Sequence, residues 1–296
     1  VTAPLIVPLP GNETLVDGLT KILGAESGRL TIRRFPDGET YLRFETPVSG
    51  RALILVCTLD RPDDKFLPLA FSVAAARELG AMRIGLVCPY LAYMRQDRRF
   101  QPGEAVTSSY FAKLMSSQFD WLVTVDPHLH RRASLTEIYS IPTQAMHAAL
   151  LISAWIRKEV EKPLLIGPDS ESEQWVAAVA RDAGAPHVVL QKVRHGDREV
   201  EVSIPDVARW RDHTPVLVDD IVSTARTMIE AVGHLKRAGM RPPICVAVHG
   251  IFAGDAFEAL TAAGAGRVVT TNTVRHVANA IDVTTLLAQG IGMIAI

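Results

Sequence analysis

Short apolar runs recur along the chain, at residues 5–8, 52–58, 84–89, 121–125, 164–166, 188–190, 216–218, 244–248 and 268–271. Uninterrupted apolar runs of this length suit strands buried on both faces of a parallel sheet. Between many of them apolar and small residues return at helical spacing. Residues 67–79 do so before Gly80, residues 176–183 before Gly184, and residues 229–238 before Gly239, each glycine serving as a C-terminal stop. Strand and helix in alternation predict an α/β protein with mainly parallel sheets. The series restarts at Pro163, so a boundary is expected at 145–150. It divides the chain into residues 1–147 and 148–296, two similar α/β domains, with the last residues free to pack back on the first domain.

The chemistry concentrates where apolar runs end. Residues 216–218 meet Asp219 and Asp220, then Ser223, Thr224, Ala225, Arg226 and Thr227, before an amphipathic helix carrying Met228, Ile229, Val232 and Leu235. Ligands of open α/β sheets bind beyond the carboxyl ends of strands. The N–H groups opening the helix, with the Thr224 and Thr227 hydroxyls beside them, suit a phosphate. Asp219 and Asp220 are then free to accept hydrogen bonds from sugar hydroxyls, directly or around a metal. The plainer reading is an acidic pair that caps a helix.

Composition narrows the field. At 296 residues and 48% apolar content the chain accommodates two domains with sizeable cores. A net charge of −1 gives no general reason to bind nucleic acid or a membrane surface. No stretch approaches a membrane span, and the first five residues lack a basic segment followed by an apolar core. Cys57, Cys88 and Cys245 all fall in apolar runs, as buried reduced thiols of a cytoplasmic protein do. The expected partners are small molecules or further copies of the chain.

Five other segments bear on the site. Phe35-Pro36-Asp37-Gly38-Glu39 joins two alternating segments, 30–34 and 40–44, as a hairpin tip. Phe35 there offers a face for stacking a base, and Asp37 and Glu39 offer acceptors. Residues 89–104 follow a strand and carry Arg95, Gln96, Arg98 and Arg99, a density of guanidinium groups that suits a polyanion better than a solvated turn. In Asp126-Pro127-His128-Leu129-His130 the alternate histidines are expected to face different ways, which disfavours a two-histidine clamp. His128 or His130 alone remains available to a phosphate or metal, and magnesium suits the neighbouring carboxylates better than zinc. Asp169 stands between a strand and a helix that begins near Ser172, either as a metal contact or within a capping sequence. Lys192 and Arg194, two apart on one side of an extended segment, form either a solvated hairpin or a basic arm able to close over transferring phosphates.

In this order, Phe35–Glu39, Arg95 to Arg98 with Pro102-Gly103-Glu104, Asp126 to His128, Pro168-Asp169, Lys192 to Arg194 and Val218 to Thr224 resemble the successive signatures of the phosphoribosyl diphosphate synthetases, or ribose-phosphate diphosphokinases. The resemblance covers nearly the whole chain. It implies two tandem type I phosphoribosyltransferase-like domains, with an active site between them that a neighbouring subunit of a homo-oligomer completes. The implied reaction moves the β,γ-diphosphate of ATP to the 1-hydroxyl of ribose 5-phosphate and releases AMP, with Mg2+ required. By that resemblance Arg95, Gln96 and Arg98 bind ATP, and Phe35, Asp37 and Glu39 of an adjacent chain hold its adenine. His128 and Asp169 position magnesium. Asp219 and Asp220 bind ribose hydroxyls, residues Ser223, Thr224, Ala225, Arg226 and Thr227 bind the 5-phosphate, and Lys192 and Arg194 stabilise the β-phosphorus.

Two departures stand out. The family pattern has Thr-Gly-Gly-Thr where this chain has Thr224-Ala225-Arg226-Thr227, and glycine where it has Glu171. Alanine and arginine are expected to resist the positive φ that glycine adopts freely, and Glu171 repels a diphosphate unless a cation intervenes. The alternatives are therefore a non-catalytic nucleotide-binding or regulatory relative, or a phosphoribosyltransferase, which leaves the arginine segment and the Phe35 hairpin without a use.

Overall fold

The computed structural model describes residues 4–168, 172–195, 199–203 and 207–294, with only the backbone described for 174, 191–195, 199–203 and 208. Contacts divide the chain into two units, one formed by Val1–His147 with Thr284–Ile296, the other by Ala148–Val283.

The first unit opens with β1 (Leu5–Pro8), α1 (Glu13–Leu23) and β2 (Glu26–Ser27). A hairpin of β3 (Leu30–Arg34) and β4 (Thr40–Phe44) forms a separate two-stranded sheet. Then come β5 (Ala52–Val56), α2 (Pro62–Glu78), β6 (Arg83–Cys88), α3 (Thr107–Gln118), β7 (Trp121–Val125) and β8 (Thr143–Met146). The six-stranded sheet has the order β2-β1-β5-β6-β7-β8, parallel throughout. Its central strands are buried at all but a terminal residue, and β7 at every residue, because both faces are covered, which is why their sequences read as apolar runs.

The second unit contains α4 (Ala149–Glu159), β9 (Pro163–Gly167), α5 (Glu173–Ala183), β10 (His187–Val189), β11 (Gln191–His195), β12 (Glu199–Ser203), β13 (Thr214–Val222), α6 (Arg226–Arg237), β14 (Ile244–Gly250), α7 (Ala256–Ala262), β15 (Arg267–Thr271) and β16 (Asn279–Ile281). Its parallel sheet runs β10-β9-β13-β14-β15-β16, and β11 pairs antiparallel with β12. The last helix, α8 (Thr284–Ile294), belongs to the first unit and packs on α1, β7 and β8. Gly290 permits this closeness, since a Cβ there would lie 2.7 Å from Val123 Cγ1.

The two sheets share one topology. In each, the first strand hands the chain to an edge strand on one side, and the rest of the sheet is laid down on the other. The order therefore reverses between β1 and β5 in the first unit and between β9 and β13 in the second. Crevices at such reversals are where α/β sheets hold ligands.

Sequence expectations and structure differ in a few bounds. Strand β13 is longer than the apolar run at 216–218, and Asp219 and Asp220 lie inside it rather than in a loop. Asp219 pairs with Ala247 of β14, and Ile221 with His249. Helix α2 starts at Pro62, ahead of the apolar spacing, because proline suits a first helical position and the first turn is polar. Gly184 takes φ 68° and ends α5 as expected. Ser172 occupies the N-cap place of α5, but its side chain makes no capping bond. Cys57, Cys88 and Cys245 are buried free thiols; burial pushes Cys57 and Cys245 up to about 12 and raises Cys88 as well. Among the described residues no helix is long and apolar enough to cross a membrane.

Gly85 of β6 lies beside Trp121 of β7 in register, and a Cβ at Gly85 would sit 2.0 Å from the buried indole ring. Gly85→Ala is expected to cost about 1–3 kcal/mol through overpacking, read as a lower urea midpoint. An unchanged midpoint would mean the indole has room to move.

Candidate functional site

In the second unit, β13 pairs with β9 only as far as Leu217 with Ile166, whereas its pairing with β14 continues to Val222 with Gly250. Asp219 and Asp220 thus stand on the part of β13 that runs beyond its last register pair with β9, at the reversal of strand order. As successive strand residues they project to opposite faces, and both are half-buried. The Asp220 N–H donates to Asp219 Oδ1 at 2.9 Å.

The turn that follows is braced from the β14–α7 connection. Val222 O accepts the N–H groups of Ile251 and Phe252 at 2.9 and 3.1 Å, and Ser223 O accepts that of Ala253 at 3.0 Å. Ala225 then takes φ 57°, ψ 5°, a left-handed conformation, and its carbonyl accepts the Ile229 N–H at 2.8 Å as α6 begins. Alanine is expected to take this conformation only at a cost. The chain adopts it, at a cost of about 1–2 kcal/mol, and the Ala225 methyl is buried in the core cluster of Leu217, Met228 and Phe252. Arg226 is not a turn residue; it is the first residue of α6, and its side chain is exposed. Ser223 and Thr227 are half-buried and Thr224 is exposed around the helix start, whose first N–H groups have no partner within the helix. Asp169 and Glu171 lie outside the described residues. So do the side chains of Lys192 and Arg194, whose backbones lie in β11 facing β12.

In the first unit the arginine segment follows β6. Leu91, Ala92 and Met94 are buried, and Tyr93, at φ 63°, donates its hydroxyl to Asp63 and sets its ring 4.7 Å from that of Phe111. That bond, with burial adding to it, pushes Tyr93 up to about 12. Arg95, Arg98 and Arg99 are exposed, while Gln96 Oε1 accepts the Thr107 hydroxyl at 3.3 Å. The Glu104 carboxylate closes the loop on the N–H groups of Phe100 and Gln101 at 2.7 and 3.1 Å. Arg131 and Arg132, unmarked by any sequence signature, hold this loop from the segment after β7.

At the hairpin tip the Phe35 N–H donates to Glu39 O at 2.8 Å and the Glu39 N–H to Asp37 Oδ1 at 3.2 Å, leaving Phe35, Asp37 and Glu39 exposed. The Arg33 guanidinium lies 4.7 Å from the Phe35 ring and 4.1 Å from that of Tyr41. The hairpin and the arginine loop are separate elements of one unit.

After β7, Asp126 takes φ 34° and Asp126 O accepts the His128 N–H at 2.9 Å. The backbone is no longer extended there, so strand alternation fails: the His128 and His130 rings meet at 4.1 Å instead of facing apart. His147 Nδ1 lies 2.9 Å from Asp126 Oδ1, a hydrogen bond that raises the His147 pKa.

The strand-order reversal of the first unit is furnished differently. Asn12 joins its two loops, accepting the Thr58 N–H at 3.1 Å and donating to Leu9 O at 3.1 Å. The Lys65 ammonium binds Thr58 O at 2.9 Å and pairs with Asp60. A cavity of about 340 Å³ remains there, lined by Leu9, Ile32, Cys57 and Pro68 on its apolar side and by Arg33, Arg34, Asp64 and Lys65 on its polar side. The protein itself satisfies the polar groups of Asn12, Lys65 and Asp60.

Two doubly wound sheets, one ending in an acidic strand and a hydroxyl-lined helix start, define a protein of the phosphoribosyltransferase-like α/β class. Comparison with known proteins agrees. The N-terminal domain of ribose phosphate pyrophosphokinase matches residues 5–118 and the phosphoribosyl transferase domain residues 134–283. Ribose-phosphate pyrophosphokinase of Methanopyrus kandleri is 31% identical over 275 residues, covering 92% of this chain and 93% of that protein. That of Sulfurisphaera tokodaii is 30% identical over 261 residues, covering 87% and 89%. The crystal structure of phosphoribosylpyrophosphate synthetase from Mycobacterium smegmatis superposes with a TM-score of 0.86 at 25% identity over 99% of each chain. The chain belongs to the ribose-phosphate pyrophosphokinase family.

Two measurements test this geometry. Ala225→Gly relieves the left-handed strain but loses a buried methyl, so stability should stay within about 1 kcal/mol of the original. Ala225→Val, β-branched at positive φ, should cost about 2 kcal/mol or more in urea denaturation. The His147 imidazole should titrate above the usual value near 6.5 by NMR and return toward it in Asp126→Asn. Because the folded value is raised, the pair's contribution to stability is complete below about pH 6.5 and is lost as pH rises through the folded value.

Proposed function

We propose that the protein is an active magnesium-dependent ribose-phosphate diphosphokinase, transferring the β,γ-diphosphate of ATP to the 1-hydroxyl of ribose 5-phosphate to give 5-phosphoribosyl 1-diphosphate and AMP. The observation that carries this reading is Ala225 in the left-handed conformation. The turn keeps the backbone path that glycine would supply, which weighs against a relative that has lost the sugar-phosphate site.

In this reading the 5-phosphate sits on the turn and helix start from Ser223 to Thr227, with the Arg226 guanidinium as an added cation, and the ribose hydroxyls donate to Asp219 and Asp220. Arg95, Gln96 and Arg98 take the nucleotide's phosphates, and Phe35, Asp37 and Glu39 of an adjacent copy hold the adenine. The 1-hydroxyl oxygen attacks the β-phosphorus, the bond from that phosphorus to the α,β-bridging oxygen breaks, AMP leaves with the bridging oxygen, and the hydroxyl proton is lost. Lys192 and Arg194 neutralise charge gathering on the β-phosphoryl oxygens. Transfer of this kind needs in-line positioning and charge neutralisation more than covalent help from the protein.

The donor chemistry fits a hard cation. Asp219 and Asp220 supply carboxylate oxygens, the ligands magnesium prefers, and His128 and Asp169 are the further positions we assign to it. When bound, the ion would offset phosphate charge and orient the diphosphate. Three buried free thiols support a cytoplasmic setting. A phosphoribosyltransferase reading would leave the exposed Arg95 and Arg98 and the Phe35 hairpin unused.

The test is incubation of the protein with ATP, Mg2+ and ribose 5-phosphate, with the products resolved by phosphorus NMR. AMP and a 1-diphosphate resonance on the sugar are expected; ADP alone, or no sugar-dependent change, would contradict the proposal. Lys192→Ala should lower kcat by about 10²–10³ with KM for ATP little changed, as loss of a transition-state donor does. Near-normal kcat would remove Lys192 from its assigned role.

A further inference from the structure

The loop carrying Arg95, Gln96 and Arg98 is fastened by residues that the reaction described above does not use. Asp97 lies in its middle, its side chain only 5% exposed, and the Arg131 guanidinium reaches its carboxylate oxygens at 3.3 and 3.4 Å. Arg132 extends deeper. Its Nη2 lies 3.2 Å from Asp97 O, 3.3 Å from Ser108 Oγ and 3.4 Å from Ser109 Oγ, so one guanidinium joins the loop to the start of α3. On the other side its Nη1 stands 3.8 Å from Glu137 Oε2, and Glu137 Oε1 accepts the Ala133 N–H at 2.6 Å. The Phe100 ring has two cations against it, Arg98 at 4.9 Å and Arg131 at 5.7 Å.

We propose that Arg131 and Arg132 are positioning residues for the anion-binding loop. Reaching from the segment after β7, they clamp the segment after β6 through Asp97 and so fix how Arg95, Gln96 and Arg98 are presented to a polyphosphate. That the polyphosphate is a nucleotide's rests on the function proposed above; the clamp itself does not.

The physical case has two parts. A loop rich in exposed arginines repels itself and has few apolar contacts to order it, so its conformation depends on what ties it down. Guanidinium suits the task because its planar fork serves several acceptors at fixed angles, which an ammonium on a flexible stem does not reproduce. The Asp97 carboxylate, engaged by Arg131, is also kept from competing with ligand phosphates for Arg95 and Arg98. Small displacements of such groups are costly, since about 1 Å of misplacement lowers rates by as much as 10².

Arg132→Met, Arg132→Lys and Asp97→Asn in the full-length protein test the clamp with three readouts. Amide hydrogen exchange should rise about tenfold across residues 95–104 in Arg132→Met while β6 and β7 keep their protection, and Arg132→Lys should restore only part of it. Calorimetric affinity for inorganic tripolyphosphate should fall about tenfold in Arg132→Met and in Asp97→Asn. KM for ATP should rise by a similar factor while KM for ribose 5-phosphate stays near its original value. Unchanged exchange in the loop, unchanged tripolyphosphate affinity, or an equal rise in both KM values would overturn the proposal. Loss of tripolyphosphate affinity in a protein that makes no AMP would support the clamp and count against the diphosphokinase reading instead.

Discussion

Strand β13 pairs farther along β14 than along β9, and what the second unit offers a ligand depends on that difference. Where its pairing with β9 stops, the crevice at the strand-order reversal opens beside Asp219 and Asp220. Because β14 still pairs with this stretch, the two carboxylates are carried on a strand held from one side instead of on a loop. The turn to α6 inherits that order. Val222 and Ser223 are tied to the β14–α7 connection, and Ala225 is held left-handed by what surrounds it. A strained residue of this kind persists only where its neighbours over-determine it.

Strain recurs at related places. Tyr93 follows β6, Asp126 follows β7 and Phe252 follows β14, all at positive φ and all beyond the carboxyl ends of parallel strands. The two units thus repeat one architecture but furnish it differently. In the first, Asn12, Lys65 and Asp60 tie the loops at the reversal together beside a cavity, and exposed polar groups also stand on the arginine loop and the hairpin tip. In the second, the crevice keeps carboxylates and hydroxyls. One topology therefore carries two kinds of polar group beyond its strands: exposed guanidinium groups on a loop after β6, and the N–H groups of a helix start after β13.

Much of this was legible in the residues. Buried parallel strands announce themselves as apolar runs, and the Phe35 hairpin by its Pro-Asp-Gly tip. Strands β2, β8 and β16 were not legible, being two to four residues long with exposed or half-exposed positions. The length of β13 was hidden because Asp219 and Asp220 read as the end of an apolar run, and pairing with β14, a long-range contact, carries the strand onward. That Ala225 bears the cost of a left-handed conformation was not legible, because intrinsic preference argues against it while the bonds that brace the turn come from residues 251–253. The meeting of His128 with His130 follows from the turn at Asp126, which strand alternation does not foresee. Arg131 and Arg132 bear no pattern; only the position of Asp97 gives them meaning.

The central claim is that the turn after β13 remains a sugar-phosphate site although alanine and arginine replace glycines. A crystal structure of the protein with ribose 5-phosphate tests this most directly. The account predicts the 5-phosphate on the backbone N–H groups of residues 224–227, the sugar hydroxyls on Asp219 and Asp220, and Ala225 still at positive φ. A sugar phosphate bound elsewhere, or bound only after the turn has rearranged, would contradict it.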